Sequence, residues 1–232
     1  MTAGPALLLV AHGTRDPAGA VVTEQVAALA RGALRVPVAA CYVDVRRPTP
    51  ADALQELDGP VVAVPMFLAA GYHVRTDVPA QLADFPDVRL AETFGPDPSL
   101  VAAAAQRLAE AGAGPDDAVV LAVAGSSDPC AQADGTRAAR RLGRLLGRPV
   151  ALATIATGGP RVADAVAALR RDGARRVAVA SWLLAPGLFQ TKLAGSGADA
   201  VGRPLADHPA VVELIARRYR AAQAQPAARR TA

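Results

Sequence analysis

The sequence predicts an α/β fold of two similar domains, each a parallel β-sheet flanked by helices, related by tandem duplication. Three observations support this prediction. Short apolar segments alternate with amphipathic segments, several amphipathic segments begin with a helix-start signal, and the second half of the chain repeats the first. The 232 residues allow two units of ordinary domain size, about 100–150 residues each.

Six short apolar segments are the predicted strands. They are hydrophobic throughout instead of alternating, which is typical of a parallel sheet covered by helices on both faces. The segments comprise residues 5–11, 36–43, 60–67, 118–124, 149–155 and 176–184.

Six segments with helical periodicity accompany these strands. Three of them begin near an aspartate followed by proline, at Asp16, Asp97 and Asp128. The carboxylate can cap the first N–H groups of a helix, and proline suits the first helical position because it has no N–H. Such strand–helix alternation predicts right-handed crossovers in an α/β fold. The predicted helices comprise residues 18–34, 48–57, 98–111, 131–146, 160–171 and 209–222.

The chain repeats itself in four segments that occur in the same order. The best match places LVAHGTRDP over LAVAGSSDP. The aligned segments are 9–17 with 121–129, 48–52 with 160–164, 61–74 with 177–190, and 97–101 with 208–212. We therefore predict an N-terminal domain at residues 1–113 and a degenerate C-terminal repeat at residues 114–222. A tail rich in Ala, Gln, Pro and Arg, residues 223–232, is predicted to be disordered.

Because a duplication retains what the fold requires, differences between its halves indicate chemistry. Glycines and helix starts recur in both halves, whereas three metal-capable side chains do not. His12, Asp44 and His73 of the first half stand against Ala124, Ala156 and Phe189 of the second. The sequence thus favours a single metal site, in the first half.

These three residues each follow a predicted strand of the first half. The carboxyl ends of parallel strands meet at one edge of the sheet, where open α/β sheets bind their ligands. Two imidazoles and a carboxylate suit a divalent transition ion such as iron, cobalt, nickel or zinc. Taken alone, His12 is equally compatible with a capping or core-edge role. The loss of all three residues in the second half favours the metal site.

The segments VAHGTRDP, CYVDVRRPTP and VPMFLAAGYHVRTDVP resemble the class II chelatases of tetrapyrrole synthesis, the sirohydrochlorin cobalto- and ferrochelatases. The resemblance extends through the second half to PLADHPAVVELIARRY. It implies that His12 and His73 bind the metal and take part in pyrrole deprotonation. That family usually has glutamate where this chain has Asp44. Because aspartate is one methylene shorter, three alternatives stay open for Asp44: direct ligation, action through a water, or no part in the site.

The implied reaction is insertion of Fe²⁺ or Co²⁺ into sirohydrochlorin, for sirohaem or cobalamin synthesis, without a tightly bound cofactor. We favour Fe²⁺, and with it sirohaem synthesis, because the chain has no histidine-rich tract for metal storage. The metal must leave readily, which suits an open two-imidazole site. A neutral imidazole can accept pyrrole protons at cellular pH.

The substrate carries eight carboxylates and needs a slot with cationic edges, for which a cleft between two similar domains is suitable. Arginine pairs bidentately with carboxylates. Each candidate cation taken singly is better interpreted as solvated loop charge, and the prediction is that the group supplies at least two substrate contacts. The predicted substrate contacts are Arg15, Arg46, Arg47, Arg75 and Lys192.

Other features exclude several classes of function. The composition, 52% hydrophobic and 20% charged, is typical of a soluble globular protein. Scattered arginines, a net charge of +4 and 3% aromatic residues argue against nucleic-acid binding. Cys41 and Cys130 lack CxxC partners, which argues against a zinc knuckle or redox motif. The N-terminal apolar run is too short for a membrane span and lacks a basic flank, so we expect a cytoplasmic protein.

Two alternatives to metal insertion remain open. A tetrapyrrole or metal carrier would keep the ligands without turnover. A histidine-dependent phosphoryl-transfer enzyme agrees less well with the sequence, because such an enzyme needs an arginine before the histidine, whereas Ala11 precedes His12. No glycine-rich nucleotide motif follows a strand.

We interpret His208 as a helix cap, because its counterpart is Asp97. We expect a monomer, since the second half supplies the surface that a partner subunit would otherwise provide.

Overall fold

Two parallel sheets form the framework of residues 4–225, the part of the chain that this computed structural model describes; of His73 it describes the backbone alone. The first sheet comprises β1 (Ala6–Ala11), β2 (Val38–Tyr42), β3 (Val61–Pro65) and β4 (Val88–Leu90). The second comprises β5 (Ala118–Gly125), β6 (Val150–Thr157), β7 (Val177–Trp182) and β8 (Ala200–Val201). Their orders, β2-β1-β3-β4 and β6-β5-β7-β8, are equivalent, which confirms the prediction of two similar domains.

The helices flank both sheets. They are α1 (Pro17–Leu34), α2 (Pro50–Leu54), α3 (Val78–Leu82), α4 (Pro98–Glu110), α5 (Pro129–Leu146), α6 (Val162–Arg171), α7 (Leu188–Ala194) and α8 (Pro209–Ala224). A π-helical turn, His73–Asp77, leads directly into α3. In the part of the chain described, none of the helices is both long and apolar enough to cross a membrane.

The predicted aspartate caps are present at three helix starts. Asp16 accepts a hydrogen bond from the N–H of Ala18, and Asp97 and Asp128 accept from the N–H groups two residues further on, at 2.8–2.9 Å. A proline follows each of the three caps. These local signals therefore set where α1, α4 and α5 begin.

The last helix of each half packs against the other half. Helix α8 packs against α1, β3 and β4 of the first half, whereas α4 packs against α5 and β7 of the second. Leu100 of α4 and Leu214 of α8 are both fully buried in one apolar cluster that spans both halves. The link from α4 to β5 lies at the predicted domain boundary, but that boundary does not separate two independent cores.

The end of α8 differs from the prediction. The helix continues to Ala224, two residues beyond the predicted end, and Arg89 donates hydrogen bonds to the carbonyl oxygens of Gln223 and Gln225 at 3.0 and 3.1 Å. Residues 223–225 of the predicted tail are therefore ordered. The remainder of that tail, residues 226–232, lies outside the described residues.

His208 is the N-cap of α8, as predicted. Its Nδ1 accepts a hydrogen bond from the N–H of Ala210 at 3.1 Å, and its Nε2 lies 3.0 Å from Oε1 of Gln106. Burial lowers the pKa of His208, and the positive charge of Arg107 lowers it further. The unfolded chain therefore binds this proton more readily than the folded chain, and folded-state stability falls as pH decreases below the ordinary histidine pKa.

We expect the variant His208→Asn to lose less stability on acidification than the parent. Asparagine caps helices and does not titrate, whereas a protonated Nδ1 can no longer accept from Ala210. The cap contributes about 1 kcal/mol. Urea unfolding at about pH 7.5 and about pH 5.5 measures the difference. Identical pH dependence in both proteins would contradict this role of His208.

Candidate active site

A cleft of about 1490 Å³ lies between the two halves. The loops that follow β1, β2 and β3 line one side, and the loops that follow β5, β6 and β7 line the other. Pockets for drug-sized ligands are typically about 300–1,000 Å³, so this cleft suits a larger ligand. Its position at the carboxyl ends of the strands is the one expected for parallel sheets.

His12 follows β1 and is exposed to this cleft. Its Nδ1 lies 3.3 Å from the carbonyl oxygen of Gly13, and its ring centroid lies 6.3 Å from that of Phe67. Gly13 has a φ of +99°, and a Cβ there would clash with the carbonyl oxygen of Asp44. Glycine is thus required for the turn that directs the chain from β1 into the cleft.

Asp44 lies beside His12 through its backbone. Its N–H donates to the carbonyl oxygen of His12 at 3.1 Å, and its Oδ1 accepts from the N–H of Val45 at 2.7 Å. Val45 has a φ of +61°, a strained conformation for a β-branched residue. This strain occurs in the cleft wall, where the Asp44 carboxylate is exposed.

The structure shows that the residue equivalent to Asp44 in the second half is Thr157, and not Ala156 as the sequence alignment indicated. The carbonyl oxygen with which a Cβ on Gly125 would clash belongs to Thr157 and not to Ala156. An irregularity in the β5–β6 pairing between Val123 and Gly125 shifts the register by one residue. The carboxylate is absent from the second half in either alignment.

The backbone of His73 begins the π-helical turn, and its neighbours Tyr72 and Val74 both line the cleft. His12 and Asp44 thus line one cleft, and the backbone of His73 lies between two residues that line it. Short π-helical segments are frequent at functional sites. Among the side chains that the structure describes, no group of three or more His, Cys, Asp or Glu residues is placed to hold a metal ion. The ligand set of His12, His73 and Asp44 stays a prediction.

Both cysteines are free thiols and lie apart from the cleft. Cys41 lies in β2, and burial raises the pKa of its thiol to about 12, so that it stays protonated. Cys130 is exposed near the start of α5, with its Sγ 3.2 Å from Nη1 of Arg75. Neither residue lines the cleft.

The predicted substrate-binding cations occupy different places. Arg15 is exposed and lines the cleft. Arg46 donates to the carbonyl oxygen of Thr14 at 3.2 Å and lies 6.0 Å from the ring centroid of Tyr42, so it stabilises the loop beside His12. Arg47 pairs with Asp52 at 3.2 Å and does not line the cleft.

The other two cations also lie outside the cleft wall. Arg75 forms an ion pair with Asp128 at 3.1 Å and so joins the two halves. Lys192 lies 5.7 Å from the ring centroid of Phe189 and lines a separate cavity of about 150 Å³. The structure thus brings Arg15 to the cleft and leaves the other four predicted contacts beside or behind it.

The apolar walls of the cleft were not predicted from the sequence. Tyr72 and Leu188, one from each half, are 60% and 66% exposed. They occupy equivalent positions in the alignment of residues 61–74 with 177–190. The alignment shows a large side chain at the same place in both halves, but only the structure shows that both are exposed. Together with Phe67 and Leu184 they present apolar area on both sides of the cleft.

Comparisons with known proteins agree with this architecture. The CbiX family model matches residues 6–111 and 118–222, so it matches each half once. The chain is similar to the sirohydrochlorin cobaltochelatase of Methanothermobacter thermautotrophicus, with 35% identity over 77 residues, 32% of this chain and 54% of that protein. It is also similar to the sirohydrochlorin cobaltochelatase of Methanococcoides burtonii, with 33% identity over 86 residues, 35% of this chain and 66% of that protein. The match spans about half to two thirds of these curated relatives.

Solved structures share the fold. SirB from Bacillus subtilis with Fe³⁺ superposes with a TM-score of 0.79 at 22% identity, covering 95% of this chain and 96% of that one. CbiX, described as the terminal enzyme for biosynthesis of siroheme in denitrifying bacteria, superposes with a TM-score of 0.65 at 24% identity, covering 94% and 99%. These matches confirm the arrangement of two similar α/β domains.

Proposed function

Because the chain belongs to the CbiX family, we propose that it inserts a divalent metal ion into sirohydrochlorin. The family match confirms the resemblance to the class II chelatases. The observation that carries the proposal is the position of His12 in a large cleft with apolar walls from both halves. A flat macrocycle fits between such walls, and an imidazole beside it can bind the metal ion and accept protons from the pyrrole nitrogens.

His12 is suited to proton transfer by its local contact. A carbonyl oxygen cannot donate, so the 3.3 Å contact with Gly13 is a hydrogen bond when Nδ1 carries the proton. Nε2 is then the nitrogen with a lone pair, which is the atom that binds a metal ion or accepts a proton in an imidazole of this tautomer. We assign both tasks to His12 together with His73, and we assign to Asp44 a supporting role at the same rim.

The apolar walls explain how the macrocycle is held. Tyr72 and Leu188 present exposed apolar area from the two halves, and burying apolar area contributes roughly 25 cal/mol per Å². The substrate carboxylates then lie towards the edge of the cleft, where Arg15 is available. Four of the five predicted cations lie outside the cleft wall, so we propose Arg15 as the carboxylate contact.

The metal ion in this proposal is Fe²⁺ or Co²⁺. Both ions accept imidazole ligands, and a site with two histidines is open enough to release either. The curated relatives are named cobaltochelatases, and the SirB structures contain Fe³⁺ or cobalt. The preference for Fe²⁺ stays a prediction, as does the link to sirohaem rather than cobalamin.

We expect the purified protein to insert Co²⁺ or Fe²⁺ into sirohydrochlorin catalytically. Anaerobic incubation with each metal, followed by the absorption change of the tetrapyrrole, measures the rate and number of turnovers. An enzyme converts a large excess of substrate. A carrier on the same scaffold would give a change equal to the protein concentration and no more, and that result would contradict the proposal.

The monomeric state and the cytoplasmic location also stay predictions. The exchange of α4 and α8 supports the first, because each half already covers the other's sheet. Sedimentation of the purified protein measures the oligomeric state.

A further inference from the structure

The second half contacts the metal-site loop of the first half through a buried carboxylate. Asp134 of α5 is 3% exposed, and its Oδ2 accepts a hydrogen bond from the N–H of Ala70 at 2.8 Å. Its Oδ1 pairs with Arg137 of the same helix. The Ala70 bond joins residues 64 positions apart, and it crosses from one half to the other.

Ala70 lies immediately before the turn that carries His73. The carbonyl oxygen of the next residue, Gly71, accepts hydrogen bonds from the N–H groups of Val74 and Arg75, both at 3.1 Å. A Cβ on Gly71 would lie 3.5 Å from the Cβ of Ala131, so the loop packs closely on α5. The Asp134 carboxylate therefore fixes the peptide between Ala69 and Ala70, directly before the glycine whose carbonyl oxygen accepts the hydrogen bonds that open the turn.

The duplication shows that this bond is made on one side of the molecule and not on the other. In the alignment of residues 61–74 with 177–190, the counterpart of Ala70 is Pro186, which has no N–H to donate. At the shift that aligns residues 9–17 with 121–129, the counterpart of Asp134 is Val22, which has no acceptor. Donor and acceptor are thus both present where the loop leads to His73, and both absent where it leads to Phe189.

From these contacts we propose that Asp134 is a positioning residue for the loop that carries His73. It acts through the backbone of Ala70 and touches neither metal nor tetrapyrrole. The half that has lost the metal-capable side chains thereby holds the metal site of the other half in place. This inference rests on the proposed function in one respect, that His73 binds the metal.

The test compares variants that break the bond with variants that keep it. Asp134→Val installs the residue of the equivalent helix and leaves the Ala70 N–H without its acceptor. Asp134→Asn keeps an oxygen that can accept from Ala70, and Arg137→Gln removes the ion pair while leaving the Ala70 bond. Should Asp134→Val fail to fold, Ala70→Pro breaks the same bond from the donor side, since proline is accepted at the equivalent position.

Two measurements are made on each variant. Hydrogen–deuterium exchange of residues 68–77 reports the order of the loop without any metal. Titration with Co²⁺ in the absence of tetrapyrrole, followed by its visible absorption, reports metal affinity. We expect faster exchange and about tenfold weaker Co²⁺ binding in Asp134→Val, or in Ala70→Pro, because loss of a supporting partner typically costs about 10- to 100-fold in metal affinity. Asp134→Asn and Arg137→Gln should stay within about twofold of the parent.

Unchanged exchange in the bond-breaking variant would overturn the proposal, as would an equal loss of Co²⁺ affinity in Arg137→Gln. A failure of the proposed function has a different signature. The parent would then not bind Co²⁺ in a His73-dependent manner, while the exchange data would still report whether Asp134 orders the loop.

Discussion

His12→Ala should reduce the rate of metal insertion by at least about 100-fold while leaving the protein folded. General acid–base catalysis contributes about 10²–10⁴-fold to a rate, and His12 would additionally lose its role as a metal ligand. His12 is exposed, and the turn after β1 depends on Gly13 and not on the imidazole. Folding should therefore be nearly unaffected. We expect the same result for His73→Ala, from the resemblance to the class II chelatases.

Initial rates with Co²⁺ and sirohydrochlorin, together with thermal unfolding, measure this prediction. The matched control is His208→Ala, because His208 is the remaining histidine of the sequence and caps α8 outside the cleft. It should lower stability and leave the rate unchanged. If His12→Ala kept most of the parental rate, the assignment of the catalytic site would be wrong.

Leu214→Ala should lower the free energy of unfolding by about 3 kcal/mol, the largest stability effect that we predict. A fully buried leucine replaced by alanine typically costs about 2–5 kcal/mol, because apolar area is lost and a cavity remains. Leu214 is fully buried in the cluster that both halves share. Its helix, α8, belongs to the second half by sequence but packs on α1, β3 and β4.

The strands that lose protection in Leu214→Ala show which half α8 stabilises. Hydrogen–deuterium exchange should show lost protection in β1 and β3 of Leu214→Ala, before any loss in β5 and β7. The control Leu145→Ala replaces a leucine that is 55% exposed on α5, and we expect a change of less than about 0.5 kcal/mol. Loss of protection confined to the second sheet would contradict the packing of α8 on the first half.

Most long elements could be predicted because their signals are local. The six predicted strands and six predicted helices all occur, although α2 covers only Pro50–Leu54 of the predicted residues 48–57, and the three aspartate caps lie where the Asp-Pro pairs indicated. The prediction missed β4, β8, α3 and α7. These elements are two to seven residues long, so they contain too few residues for a hydrophobic period to emerge.

The rim of the candidate site was predictable for a similar reason. Parallel strands end at one edge, so the order of the chain brings His12, Asp44 and the His73 backbone to the same cleft. The cations were predictable only in part, since the direction of a long side chain depends on the partner it finds. Arg75 pairs with Asp128, and Arg47 with Asp52, whereas Arg15 extends to the cleft.

The fold class, the duplication and the half that retains the metal-capable residues follow from the residues alone. Periodicity, caps and the comparison of the two halves are properties of neighbouring or aligned positions. The exchange of α4 and α8, the apolar walls at Tyr72 and Leu188, and the bond from Asp134 to Ala70 were decided by tertiary structure. Each depends on which surfaces of the two halves meet, and no local pattern in the chain encodes that contact.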